Sequence, residues 1–171
     1  MVANAFTDLE TTPAGQDRGL WTRRAVIALF CVISALALAD RFGQQPTSSA
    51  VASPAAHLQL SAPPVVRGGL FFQSKLEVRA VRAVAFPRIV LDDGWLEGMQ
   101  VNSIEPAPAS ELSRDGQLVL TYDKLAPGDD LRIWFQFEVD PTNTGHRSYG
   151  IELDDEAARV VRLSPTITVL P

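Results

Sequence analysis

The chain has 171 residues, 46% of them hydrophobic and 20% charged, enough for one ordinary globular domain with added segments and too few for two full domains. Its formal charge of −5 and pI near 5.0 exclude a nucleic-acid partner, because a phosphate backbone demands a concentrated basic surface. The single cysteine, Cys31, excludes an intrachain disulfide and a cysteine-based metal site.

In chain order, residues 1–19 have no apolar period and carry Thr, Pro and Gly, which predicts a disordered cytoplasmic tail. Arg23 and Arg24 then precede the apolar run Ala25–Ala39. As a helix those fifteen residues rise only about 22 Å, and Ala37-Leu38-Ala39 has the small-x-small form of a signal-peptidase site. Cleavage after Ala39 is therefore one alternative. The other is a retained anchor over residues 20–43, with Leu20 and Trp21 extending the run at one border, Phe42 and Gly43 at the other, and the arginines snorkelling to the headgroups. The anchor is the preferred reading. Arg18, Arg23 and Arg24 before the run, against Arg41 after it, keep the N-terminus cytoplasmic in a plasma membrane crossed once. In either case the C-terminal domain is extracytoplasmic.

Residues 44–64, poor in charge and holding four prolines, read as a Pro/Ser/Ala linker, although His57–Leu60 alternates well enough to form a first strand. His57 itself reads as a solvated side chain. From Val65 to Pro171 the pattern is all-β: short runs rich in Val, Ile, Phe and Tyr, separated by Gly, Pro, Asp and Asn. Strands are predicted at 70–84, 88–91, 99–104, 117–122, 131–139, 147–153 and 160–170. The run 70–84 changes parity between Ala80 and Val81, marking a bulge or a break into two strands. Leu131–Val139 is the clearest, with Leu131, Ile133, Phe135, Phe137 and Val139 on one face and Arg132, Trp134, Gln136 and Glu138 on the other. Glycines in 92–94, 114–116, 126–129 and 143–145 mark turns that need positive φ. Seven or so strands at this spacing predict an immunoglobulin-like antiparallel β-sandwich, with a closed barrel as the alternative.

Leu125-Ala-Pro-Gly128 before an alternating strand, followed by Val139-Asp-Pro-Thr-Asn-Thr-Gly145, resembles the immunoglobulin-like repeats of bacterial surface proteins, CARDB-type domains among them. Phe42-Gly-Gln44, Pro64–Leu70, Gly94-Trp95-Leu-Glu-Gly98, Asn102–Pro106, Asp140–Gly145 and Thr168–Pro171 together resemble a family of small actinobacterial single-pass membrane proteins. That resemblance implies an anchored extracytoplasmic domain and supplies no catalytic residues.

No catalytic constellation is predicted. His146 stands alone in a polar turn, no Gly-x-Ser-x-Gly occurs, and neither a metal nor another cofactor is expected. Asp92-Asp93, Asp129-Asp130 and Asp154-Asp155-Glu156 fall in loops, where turn chemistry accounts for them and no Ca²⁺ motif is spelled out. The remaining candidates form an interaction surface, Trp134, Trp95, Arg132 and Gln136; the alternatives are a Trp134 covered by a neighbouring strand, loop or linker and a Trp95 that plugs one end of the core. The favoured function is a non-catalytic anchored module that docks on an integral membrane or envelope protein; the alternative is a cell-envelope carbohydrate-binding module using Trp95 or Trp134.

Overall fold

A computed structural model describes residues 13–39 and 44–171. The chain divides into an N-terminal unit up to Gly43 and a domain from Gln44 to Pro171. In the N-terminal unit α1 spans Pro13–Leu38. Proline suits a helix start, because the amide it lacks would have no intrahelical partner there. The helix thus takes in residues 13–19, read above as tail, while residues 1–12 and the extension through Phe42 and Gly43 lie outside the described residues. Gly19–Leu38 is long and apolar enough to cross a membrane, a test that a signal sequence near the N-terminus also passes. Every described side chain from Gly19 to Ala39 is exposed, and no polar stripe relieves the apolar surface.

The domain is an immunoglobulin-like sandwich of two five-stranded sheets with a small third one. The first sheet has the order β1 (Thr47–Ala52), β2 (Ala56–Ala62), β4 (Phe71–Ala80), β9 (Asp130–Val139), β6 (Met99–Glu105). The second has the order β12 (Ala158–Leu163), β11 (Ile151–Asp155), β5 (Pro87–Leu91), β8 (Gln117–Thr121), β7 (Ser110–Arg114). The third joins β10 (Gly145–Ser148), β13 (Thr166–Leu170) and β3 (Val65–Arg67). All pairings are antiparallel except β3 with β13. No strand is shared between the two large sheets, so the barrel alternative fails.

Alternation builds the core. Leu58 and Leu60 of β2, Phe72, Leu76 and Val78 of β4, and Ile133, Phe135, Phe137 and Val139 of β9 turn inward to meet Ile89, Leu91, Leu118, Leu120, Ile151 and Leu153 of the second sheet. Burial of such a side chain stabilises by roughly 1.5–3 kcal/mol, so the inner faces hold the sheets together without any disulfide.

The linker expected at 44–64 is a correction, because the domain begins at Gln44 and this segment supplies β1 and β2. Small residues disguised it. Ala56 and Ala62 fill inward positions with one methyl group each, and the edge strand β1 needs no large apolar side chain. Pro54 falls in the intervening turn, where the Ser53 hydroxyl accepts from the Ala55 and Ala56 amides and no ladder donor is lost. The parity change after Ala80 is a break: β4 ends there, and Val84 returns to the core through an isolated bridge to Leu125. The predicted strands 147–153 and 160–170 each divide in two, and β7 was not predicted, since its five exposed residues carry no apolar period. Gly116, Gly128 and Gly145 have positive φ; Gly94 does not, and is required instead by the Ser148 carbonyl, which a Cβ would meet at 2.2 Å.

Candidate interaction surface

Because successive side chains of a strand alternate between faces, burying Ile133, Phe135 and Phe137 obliges Arg132, Trp134 and Gln136 to face solvent. All three stand in one row on the outer face of β9, the fourth strand from one edge of the sheet and the second from the other. Trp134 is 38% exposed and registers with Lys75 on β4 and Glu105 on β6. Arg132 registers with Glu77, and Gln136 with Gln73 and Ser103, whose hydroxyl donates to the Gln136 Oε1 at 3.4 Å.

Charges of alternating sign share this face with the indole. The Glu77 carboxylate receives Lys75 at 2.8 Å and Arg132 at 3.8 Å, while Arg79 lies 3.9 Å from Asp130. The Lys75 hydrogen bond, ahead of the Lys75 and Arg132 charges, holds the Glu77 carboxyl below its ordinary value. Exposed pairs of this kind stabilise the fold by about 0–1 kcal/mol at most, so their arrangement is available to a partner at little cost. His57, Gln59, Glu77, Arg79, Asp130 and Arg132 line an open groove of about 380 Å³ on the same face.

Trp95 does not belong to this surface. It is 0% exposed, stacked on Phe137 at 4.9 Å and set edge-on to Tyr149 at 4.5 Å, and its indole N–H donates to the Gly150 carbonyl at 2.8 Å. Turn-forming residues flank it. They form a 3-10 turn, Asp93–Trp95, capped by Asp92, whose carboxylate accepts from the Gly94 amide at 3.2 Å and the Gly150 amide at 2.6 Å. The cap ties the turn to the start of β11 and drives the indole inward.

The acidic residues have structural work, and they are not all in loops as expected: Asp130 opens β9, and Asp154 and Asp155 close β11. Asp129 accepts from the Ala126 amide at 2.7 Å and Asp155 from the Phe86 amide at 2.8 Å. Among the described residues no group of three or more His, Cys, Asp and Glu is placed to hold a metal. His146 is exposed and meets the Thr168 hydroxyl at 3.0 Å. Burial pushes the phenols of Tyr122 and Tyr149 up to about 12, with Glu111 adding to the effect at Tyr122, so both stay neutral.

One cluster escaped the sequence reading. On the outer face of the second sheet, Glu152 is only 8% exposed because Arg159, at 2.6 Å, and Arg162, at 2.5 Å, close over its carboxylate. Arg162 also reaches Asp92 at 3.3 Å. Its only signal in the sequence is the alternation of Glu152 and Asp154 with the inward Ile151 and Leu153.

No protein-family model matches the chain, and no curated protein matches it. Among solved structures it is similar to the CARDB domain of the PF1109 protein from Pyrococcus furiosus, in complex with di-metal ions, at 14% identity over 74% of this chain and 90% of that one, with a TM-score of 0.45. It is similar to the third cohesin ScaC in complex with the ScaB dockerin from Acetivibrio cellulolyticus, at 12% identity over 63% and 94%, with a TM-score of 0.44. A further match is AvmM, which catalyses macrocyclization in alchivemycin A biosynthesis, at 7% identity over 75% and 90%, with a TM-score of 0.46. At these identities and TM-scores the likenesses add nothing to the chemistry read from the residues.

Proposed function

We propose that the chain is a non-catalytic, membrane-anchored interaction module, with α1 retained as a signal anchor, the N-terminus cytoplasmic and the sandwich extracytoplasmic. Its partner is an integral membrane or envelope protein that docks on the outer face of the first sheet, as an actinobacterial accessory protein of the kind the sequence resembles. The observation that carries this reading is Trp134: a large aromatic side chain left exposed between Lys75 and Glu105, beside charges whose mutual pairing is weak. Tryptophan and arginine side chains supply a disproportionate share of binding energy at protein interfaces. The stretch of α1 from Ala25 to Leu38, apolar all round, supports anchoring, since such a helix is stable only inside a core or a bilayer.

The carbohydrate-binding alternative loses Trp95 to the core and keeps Trp134 alone. Trp134→Ala tests both. The proposal expects it to weaken a purified membrane complex by about tenfold or more, as loss of an interface anchor does, with an unchanged melting temperature. An unchanged complex overturns the assignment of this face, and loss of retention on insoluble cell wall instead would favour the carbohydrate reading.

A further inference from the structure

The point at which the chain enters the domain and a cluster of exposed apolar side chains lie at the same end of the sandwich. β1 pairs with β2 through Thr47 and Ala62, and β2 with β4 through Ser61 and Lys75, so β1 and β4 run in the same direction and nearly level. Residues just before Thr47 therefore approach from the end where Phe71 begins β4. β2 heads toward that end, the chain continues through β3, and it reverses at Gly68 and Gly69, whose amides donate to the carbonyls of Leu170 and Val139, both at 2.8 Å. A Cβ at Gly68 would come within 3.0 Å of the Pro141 carbonyl oxygen, so this tip packs closely on the neighbouring loop.

Four large apolar side chains stand exposed around the tip: Val65 at 43%, Leu70 at 48%, Phe71 at 53% and Leu170 at 41%. Arg67 lies among them, registered with Leu170. The reversal of a chain between strands is ordinarily polar, so a tip of this composition marks a contact.

Chain length says what is within reach. The twenty residues Gly19–Leu38 rise about 30 Å as a helix, the thickness of a hydrocarbon core, which brings Leu38 to the acyl boundary if the helix spans. Only four residues, 40–43, separate Ala39 from Gln44. Five Cα steps extend at most about 18 Å, against headgroup layers about 5–8 Å deep. The linker read from composition would have allowed several tens of ångströms; its refolding into β1 and β2 removes that freedom. Val81 and Phe86, exposed at 46% and 59%, lie toward the other end of the sandwich, beyond the ten residues of β4, about 33 Å of strand.

We propose that the tip formed by Val65, Arg67, Leu70, Phe71 and Leu170 rests in the headgroup layer of the bilayer that holds α1. This rests on the retained-anchor reading and deepens it. The apolar side chains reach the acyl boundary and Arg67 meets lipid phosphate. Glu138, registered with Phe71, and Asp140, whose carboxyl the Thr142 amide and hydroxyl hold below its ordinary value, put negative charge near the tip. Contact thus depends on apolar insertion and needs no anionic lipid.

The test uses the full chain carrying Cys31→Ser, with one spin-labelled cysteine at Leu70, Phe71, Val81, Phe86 or Ile33, in vesicles of pure phosphatidylcholine. Oxygen, which partitions into lipid, is expected to relax the labels at Leu70, Phe71 and Ile33 several-fold more than an aqueous nickel chelate, with the reverse order at Val81 and Phe86. Labels at Leu70 and Phe71 that behave like those at Val81 and Phe86, while Ile33 reports lipid, overturn the inference and leave the anchor standing. A label at Ile33 that also reports water overturns the anchor and the inference with it. Shielding of Leu70 and Phe71 from both relaxants places protein there and overturns the lipid contact. Both side chains are half exposed, so the substitutions leave the core untouched; unaltered amide exchange of β4 and β9 verifies this.

Discussion

Trp95 and Trp134 are the same residue type with opposite fates, and one hydrogen-bond cap separates them. Asp92 fixes the 3-10 turn that inserts Trp95 against Phe137 and Tyr149, whereas the parity of β9 leaves Trp134 outside. Trp95→Ala is therefore expected to cost about 3–5 kcal/mol of stability by urea denaturation, the range for emptying a large aromatic site in a close-packed core. Asp154 offers a test through pH. Burial first and the Glu152 charge second hold its carboxyl above the ordinary value, against the pull of Arg88 and Arg159. A carboxyl raised in the folded state favours its neutral form there, so its stability contribution is fully present below the unfolded carboxyl pKa and is lost as pH rises through the folded one. Asp154→Asn, which cannot ionise, is expected to melt higher than the parent at neutral pH, with the difference closing below the ordinary carboxylate range. A difference that grows on acidification would contradict the account.

At the scale of elements, the strands whose large apolar residues alternate were legible in the sequence: β9 is Leu131–Val139 with one residue added, and 88–91, 99–104 and 117–122 each differ by one residue from β5, β6 and β8. What was not legible were strands defined by their neighbours. β1 is edge strand of small residues and β7 an exposed polar edge strand; each exists because a partner offers a free row of backbone groups. The same limit applies to the surface. Parity placed Trp134, Arg132 and Gln136 on one face, but only the register across β4 shows that Glu77 and Lys75 join them, and the position of Trp95 depends on a cap from Asp92 to Gly150, 58 residues away in the chain. The role of β1 and β2 gives a direct prediction. A chain beginning at Gln44 is expected to unfold cooperatively, whereas one beginning at Val65 lacks Leu58 and Leu60, 0% and 1% exposed, and leaves the inner edge of β4 open. Removing two such leucines costs about 4–10 kcal/mol, comparable with the whole stability of an ordinary domain. Circular dichroism and amide exchange of the two chains would check it.

For the whole molecule, the function proposed above rests on a polar sheet face with one exposed tryptophan, open to a neighbour. The most direct test places a photoreactive amino acid at Gln136, beside Trp134, in the full-length chain in its native membranes, with Leu112 on the outer face of the second sheet as the control position. The account predicts one discrete cross-linked protein from Gln136, absent from Leu112, lost when Trp134→Ala is added, and attached to a membrane-bound chain that still carries its N-terminus. A soluble chain beginning at Asp40, or equal labelling from both faces, would contradict it.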